Sequence, residues 1–183
     1  LTRPMDCTEV YFDKAFYGAY GWLFPKGREA NVGIGKKTGG GRPGSMRSVL
    51  EGFISRLRKE GKIRGKPFRA VAGWIPAEAP RKVNEGNILL AGDAAGHTHP
   101  ITGAGVAQAV LCGRMAGTWA ARAVDSDDPG LLSGYDREWR DFIGESQEWA
   151  FRRRQRLERD WDRLEEIVKT CWVAFREYYA SSE

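Results

Sequence analysis

A chain of 183 residues, 42% of them hydrophobic, is long enough to bury a core of ordinary domain size. Its formal net charge of +5 suits an anionic cofactor or an anionic membrane surface, but it falls short of a nucleic-acid footprint, so no nucleic-acid partner is expected. No run approaches the roughly 18 apolar residues of a membrane-spanning helix. Three scattered cysteines, Cys7, Cys112 and Cys171, make neither a disulfide framework nor a metal cluster and point to a reducing, cytoplasmic setting.

The start at Leu1 rather than Met, with charges and a proline where the apolar stretch of a signal peptide would lie, sets the expectation of a fragment. Val10-Tyr11-Phe12, Gly21-Trp22-Leu23-Phe24 and the alternating Asn31-Val32-Gly33-Ile34-Gly35 read as strands, with Pro25 to Glu29 a hairpin turn. The result is an antiparallel sheet with an aromatic face, and the simplest account of Tyr20, Trp22 and Phe24 is that this face packs on a core. Lys36 to Gly44 is basic and glycine-rich but lacks the Gly-Lys-Ser/Thr ending of a phosphate loop, so it reads as a surface connection. Ser45 caps a helix whose apolar residues Met46, Val49, Leu50, Phe53 and Leu57 fall at helical spacing, and Gly61 stops it.

Pro67 to Pro76 reads as a further short strand. Asn84 to Asn87 turns into Ile88-Leu89-Leu90-Ala91, continuously apolar as a strand covered on both faces would be. A loop from Gly92 to Gly103 follows, and then a helix from about Gly105 to about Val124. That helix carries Val106, Ala109, Val110, Gly113, Gly117 and Ala120 along one side, a small-residue stripe suited to close packing on a sheet or a flat ligand. Leu131 to Glu183 reads as helical, with Tyr135, Trp139, Phe142, Ile143 and Trp149 on one apolar face. Leu157, Trp161, Leu164, Ile167 or Val168, and Trp172 form another. Arg152-Arg153-Arg154-Gln155-Arg156 would suit an anionic membrane, but the acidic residues that follow make a solvated helix face the plainer reading.

The chemistry concentrates between Ile88 and Val106. A carboxylate at a strand end is costly unless hydrogen-bonded. Flanked by Gly92 and Ala94, Asp93 faces the crevice beyond the strand, where it can accept hydrogen bonds from sugar-like hydroxyls. A capping role would require a helix to begin at once, and Pro100 to Gly105 intervenes. Gly103 and Gly105 place backbone N–H groups at the helix start, where negative charge is favoured by about 0.3–1 kcal/mol when exposed. A phosphate would use that, and so would the electron-rich edge of a reduced flavin. His97 and His99 have no accompanying ligand set, so no metal site is expected and both read as incidental loop imidazoles. Cys112 reads as a packing residue.

Gly92-Asp93-Ala94-Ala95-Gly96, then Pro100 and Thr102-Gly103-Ala104-Gly105, resembles the second FAD motif of aromatic-hydroxylase-type flavoproteins. Within that superfamily, Tyr20-Gly21-Trp22-Leu23-Phe24-Pro25-Lys26-Gly27 resembles the aromatic motif of the geranylgeranyl reductase family, and the order and spacing of the two motifs fit as well. The resemblance spans roughly Val10 to Val124. It implies an α/β (α+β) architecture: a partial substrate domain over 1–85, the C-terminal part of an FAD-binding domain over 86–130, and a helical segment over 131–183. It further implies cofactor contacts from Gly92, Asp93, Ala94, Pro100, Thr102, Gly103, Ala104, Gly105 and Val106. Asp93 would take the ribityl chain, and the Gly103 to Val106 amides the flavin's pyrimidine edge. Tyr20, Trp22, Phe24 and Pro25 would wall a cavity for a prenyl chain.

The implied reaction is reduction of isolated C=C bonds in a prenylated lipid or pigment, with hydride from the reduced flavin. The electron donor is left open between NAD(P)H and ferredoxin, and the lipid substrate adds an expected peripheral membrane contact. Two departures stand out. No GxGxxG unit that would grip the FAD diphosphate is present, so the isolated piece is expected to bind FAD weakly or not at all, to be inactive alone and to purify colourless. Ala104 occupies a position where many family members carry an acidic residue. Two alternatives remain: an FAD-dependent monooxygenase or halogenase on the same fold, and a non-enzymatic interaction or membrane-docking module built on Leu131 to Glu183.

Overall fold

A computed structural model describes residues 1–38, 45–78 and 82–180, so Gly39 to Gly44 of the basic loop and Pro80 lie outside the described residues. The chain is mixed helix and antiparallel sheet, as expected, and divides into two compact units. One comprises 1–72 with 157–168, and the other 73–156 with 169–183.

The first unit is built on a three-stranded antiparallel sheet of order β1 (Glu9–Tyr11), β2 (Gly21–Lys26) and β3 (Glu29–Ile34). Lys26 pairs with Glu29, so a two-residue turn with Gly27 at φ 62° closes the hairpin and Pro25 sits inside the strand. Strand alternation then separates the faces. Leu23 points into a core with Phe16, Ile34, Phe53 and Leu57, while Trp22 and Phe24 lie half-buried on the opposite face. Helix α1 (Met46–Lys59) covers the core side through Phe53 and Leu57. The Ser45 hydroxyl caps it by accepting from Ser48 N at 3.2 Å. Trp161, buried in the same unit, donates its indole N–H to Lys14 O and packs edge-on to Tyr17.

The expected strand over Pro67 to Pro76 does not form. Its residues make no sheet pairing, and Phe68, Val71, Trp74 and Ile75 are exposed. The apolar pattern was present, but a strand needs a partner at the right register and this segment has none among the described residues.

In the second unit, β4 (Asn84–Glu85) and β5 (Ile88–Leu89) form a short hairpin. The expectation of a strand buried on both faces is overturned, for Ile88 is 63% and Leu90 37% exposed. A four-residue apolar run does not specify what covers it. Helix α2 (Val106–Asp125) matches its expected span to within one residue. Its buried side is Cys112 and Ala123, with Met115, Ala116 and Trp119 packed on the core of Val83, Ala95, Cys112, Tyr135 and Trp139. The small-residue stripe is instead turned outward. Val106, Val110, Gly113, Gly117 and Ala120 are exposed, and nothing lies within 4 Å of where a side chain at Gly113 or Gly117 would begin.

The remaining chain is helical, with breaks the sequence did not announce: α3 (Ser133–Trp139), a π-helical stretch over 140–144, α4 (Glu145–Arg159), α5 (Leu164–Cys171) and α6 (Arg176–Ala180). The wider turn at 140–144 shifts the helical phase, so Phe142 emerges 52% exposed rather than joining Tyr135 and Trp139 inside. Leu157, Trp161, Leu164, Ile167 and Trp172 are buried as their spacing predicts.

Candidate functional site

The backbone leaves β5, crosses Leu90 and Ala91, and enters a 3₁₀ turn at Gly92–Ala95. A helical turn therefore does begin at once after the strand, contrary to expectation, but Asp93 does not cap it. The N-cap position is Ala91, and the Asp93 side chain stands exposed in the first turn. Its Oδ1 accepts a hydrogen bond from the Thr98 hydroxyl at 2.6 Å. Thr98 is buried, so the bond fixes one carboxylate oxygen from below. The carboxylate lies against the bare Cα of Gly105: a Cβ there would sit 3.0 Å from Asp93 Oδ1 and 3.3 Å from Thr98 Oγ1. A side chain at 105 would therefore force these two oxygens to give by a few tenths of an ångström. The pairing of Asp93 with the helix start, read from the sequence as two separate features, is one contact.

The loop's N–H groups divide sharply. His99 N donates to Ala104 O at 2.8 Å, and Gly103 N to His99 O at 2.9 Å. Ile101 N and Thr102 N both point at His99 Nδ1, at 3.4 and 3.3 Å, and Ala104 N donates to Thr102 Oγ1 at 3.2 Å. Among the described residues the N–H groups of Gly105 and Val106 have no partner. Of the four amides from Gly103 to Val106, those of Gly103 and Ala104 are thus already bonded within the loop. The other two head a 20-residue helix, where unpaired N–H groups and the helix dipole favour an electron-rich ligand edge. Pro100 is buried, while Thr102 and Gly103 are half-buried and Ala94 and Ala104 exposed.

The two histidines are not incidental. His97 is fully buried, its ring 4.9 Å from that of Trp139, and neither ring nitrogen has a hydrogen-bond partner among the described residues. Burial lowers its pKa, as it does that of His99. For both rings burial disfavours the protonated form. Cys112 is buried, and burial pushes its thiol pKa up, which suits packing.

The helices after residue 131 hold this loop by side-chain bonds to its carbonyls. Tyr135 Oη donates to Leu90 O at 2.7 Å, Gln147 Nε2 to His97 O at 2.7 Å, and Arg154 Nη1 to Pro100 O at 2.5 Å. Sequence reasoning missed these braces because they link residues 45 to 54 positions apart with no local signature. They also divide the arginine run. Arg153 is buried with its guanidinium 4.3 Å from the Trp149 ring, and Arg154 is bonded to the loop, which leaves only Arg152 and Arg156 exposed. An electropositive docking face made of all four arginines does not exist.

In the first unit, Tyr20, Trp22 and Phe24 form an aromatic ladder, Tyr20 to Trp22 edge-on at 5.9 Å and Trp22 to Phe24 stacked at 6.1 Å. Gly33 across the sheet makes room for the Trp22 ring, which occupies the space a Cβ would need (2.1 Å). Asn31 Oδ1 accepts the Trp22 indole N–H at 2.7 Å and fixes the ring. The ladder points away from the core that Leu23 enters, so it is not the core-packing face of the simplest account. All three rings and Pro25 remain partly exposed. Among the described residues no three His, Cys, Asp or Glu side chains gather to hold a metal, and no helix is long and apolar enough to cross a membrane.

Comparison with known proteins covers both units. Residues 3–75 match the geranylgeranyl reductase catalytic domain. The digeranylgeranylglycerophospholipid reductase 2 of Methanopyrus kandleri is 34% identical over 154 residues, which is 80% of this chain and 39% of that protein. The digeranylgeranylglycerophospholipid reductase of Methanothrix thermoacetophila is 39% identical over 132 residues, 69% of this chain and 32% of that protein. The chain thus spans well under half the length of these relatives. A geranylgeranyl bacteriochlorophyll reductase-like protein from Thermoplasma acidophilum shares the fold with a TM-score of 0.80 at 24% identity, over 93% of this chain and 44% of that one. Through its catalytic-domain match and its identity to these reductases over most of its length, the chain belongs to the geranylgeranyl reductase family.

Proposed function

We propose that this chain supplies the ring-facing part of the flavin site and the prenyl-facing wall of an FAD-dependent reductase that saturates isolated C=C bonds in the prenyl chains of a lipid. One observation carries the reading: the Asp93 carboxylate is fixed by Thr98 against the Cα of Gly105, beside the N–H groups of Gly105 and Val106, which have no partner among the described residues at the start of α2. A carboxylate and a helix amino end a few ångströms apart fit the ribityl hydroxyls and the electron-rich ring edge of a flavin. The relatives are digeranylgeranylglycerophospholipid reductases, which supports the substrate class.

When bound, reduced FAD supplies the hydride for one alkene carbon, and a proton taken by the other completes the saturation. The chain's own residues bind and orient. Asp93 would accept hydroxyl hydrogen bonds, and the Gly105 and Val106 amides would donate to the ring edge. Tyr20, Trp22, Phe24 and Pro25 offer an apolar surface for a branched hydrocarbon chain, with the one indole N–H already satisfied by Asn31.

The whole reductase to which this chain contributes, isolated from its native source, is expected to carry FAD and, once reduced, to add two hydrogens per double bond to a geranylgeranyl phospholipid, read by mass spectrometry. Asp93→Asn keeps an acceptor for Thr98 but removes the charge, and should weaken FAD binding about tenfold or more while the fold stays intact. Flavin-free protein, or a lipid unchanged after reduction, overturns the reading.

A further inference from the structure

The turn that carries the chain from Thr98 to α2 is closed by a side chain rather than by backbone alone. Residues 99 to 104 contain one proline and five N–H donors, and all five bond inside the turn: two to backbone carbonyls, one to the Thr102 hydroxyl and two to His99 Nδ1. The next two donors, Gly105 and Val106, have no partner among the described residues. An imidazole nitrogen that accepts two amides carries no proton, which assigns the proton of neutral His99 to Nε2. An imidazolium has no acceptor and could not hold this turn. The guanidinium of Arg154, bonded to Pro100 O next door, also disfavours a second positive charge, and burial acts in the same direction.

We infer that His99 is a positioning residue: its Nδ1, by accepting the Ile101 and Thr102 N–H groups, holds the 99–104 turn in the shape that delivers the Gly105 and Val106 amides to the ligand. This rests on the flavin reading for the identity of the ligand and on geometry alone for the turn. Without the acceptor, two half-buried amides lose their partner, and the turn opens to let water reach them. The Asp93–Gly105 contact would then lose its fixed spacing.

Side-chain length supplies a stringent test. Asn Oδ1 stands at the same number of bonds from Cα as His Nδ1, whereas Gln Oε1 stands one bond further out. Amide hydrogen exchange at Ile101 and Thr102 is measured for the protein and for His99→Asn, His99→Gln and His99→Leu, with ¹⁵N shifts of the His99 ring reporting the tautomer. FAD affinity is measured in the same variants of the protein from its native source. Loss of the acceptor in the Gln and Leu variants should raise exchange at those two amides about tenfold and weaken FAD binding several-fold, while the Asn variant stays within about twofold of the parent. A merely space-filling role predicts the opposite order, with Leu and Gln retained and the smaller Asn impaired, and that order overturns the inference. So does a proton found on Nδ1. If the exchange pattern follows the acceptor but the parent binds no FAD, the role of His99 in the turn stands and the flavin reading fails. If the Leu variant does not fold, the Asn and Gln pair decides alone.

Discussion

Gly105 shows how tightly single residues are specified in the loop. A Cβ at this position would meet Asp93 Oδ1 at 3.0 Å and Thr98 Oγ1 at 3.3 Å. Gly105→Ala should therefore push the carboxylate off its buried hydroxyl partner and cost about 1–3 kcal/mol, in the range of small overpacking changes. Chemical denaturation measures that cost. A stability equal to the parent's would mean that the carboxylate swings clear without penalty. His97 provides a second residue-scale prediction. Its ring is fully buried and burial lowers its pKa, so the unfolded chain binds a proton more readily than the folded one. Stability from this group is complete above the ordinary imidazole pKa of about 6.5 and falls as pH drops below it. Thermal unfolding between neutral and mildly acidic pH should show that slope, and His97→Phe should lessen it, the remainder coming from His99. A slope unchanged in His97→Phe would show that the ring is already hydrated. The layout of the loop was legible in the sequence, since Asp93 between small residues does lie just ahead of Gly105 and the start of α2. The roles of His97, Thr98 and His99 were not. Residue type alone does not say whether a loop imidazole turns inward onto Trp139 or curls back onto its own turn, and both outcomes depend on contacts absent from the local pattern.

Elements stabilised locally were read well and elements stabilised at a distance were not. Helix α1 with its Ser45 cap and helix α2 with its 20 residues carry their own start signals and periodicity. Pro67 to Pro76 had the apolar content of a strand but no partner to complete the ladder, and Ile88 to Leu90 had the content of a buried strand but no cover. The arginine run on α4 shows the same limit for charge. Four basic residues adjacent in sequence occupy three different environments: exposed at 152 and 156, buried over Trp149 at 153, and bonded to Pro100 O at 154. Their substitutions should diverge accordingly. Arg154→Met removes a charged donor to a loop carbonyl and should lower stability by about 1–2 kcal/mol. Arg152→Met, on the exposed face, should stay within about 0.5 kcal/mol. Both remove one positive charge, so an electrostatic attraction to anionic vesicles would weaken equally in the two. Equal stability losses would mean that the Arg154 bond to the loop is not a brace.

At the scale of the whole molecule, the exposed apolar residues form a pattern rather than a scatter. Val106 is 82% and Val110 65% exposed, one helical turn apart on α2, and Gly113, Gly117 and Ala120 extend the same outward side towards Val124, which is 79% exposed. Ile88 and Leu90, in the same unit, add two more apolar side chains to the exposed set. Soluble proteins that expose a contiguous stripe of this kind either bury it against a partner or associate through it. The stripe contributes little to the fold itself, because the residues that hold α2 to its core are Cys112, Ala123 and the half-buried Met115, Ala116 and Trp119 on the other side. The two roles can therefore be separated. Replacing Val106 and Val110 together with serine should change unfolding stability by no more than about 0.5 kcal/mol per site, because neither side chain leaves a packed environment. The same double substitution should lower the binding of an apolar-surface dye and reduce any concentration-dependent association seen by sedimentation. If the serine variant instead unfolds at markedly lower denaturant, the stripe is packed in solution and its outward orientation is wrong. If dye binding and association are unchanged, the exposed apolar surface that governs solution behaviour lies elsewhere, with the Phe68 to Ile75 segment the next to substitute.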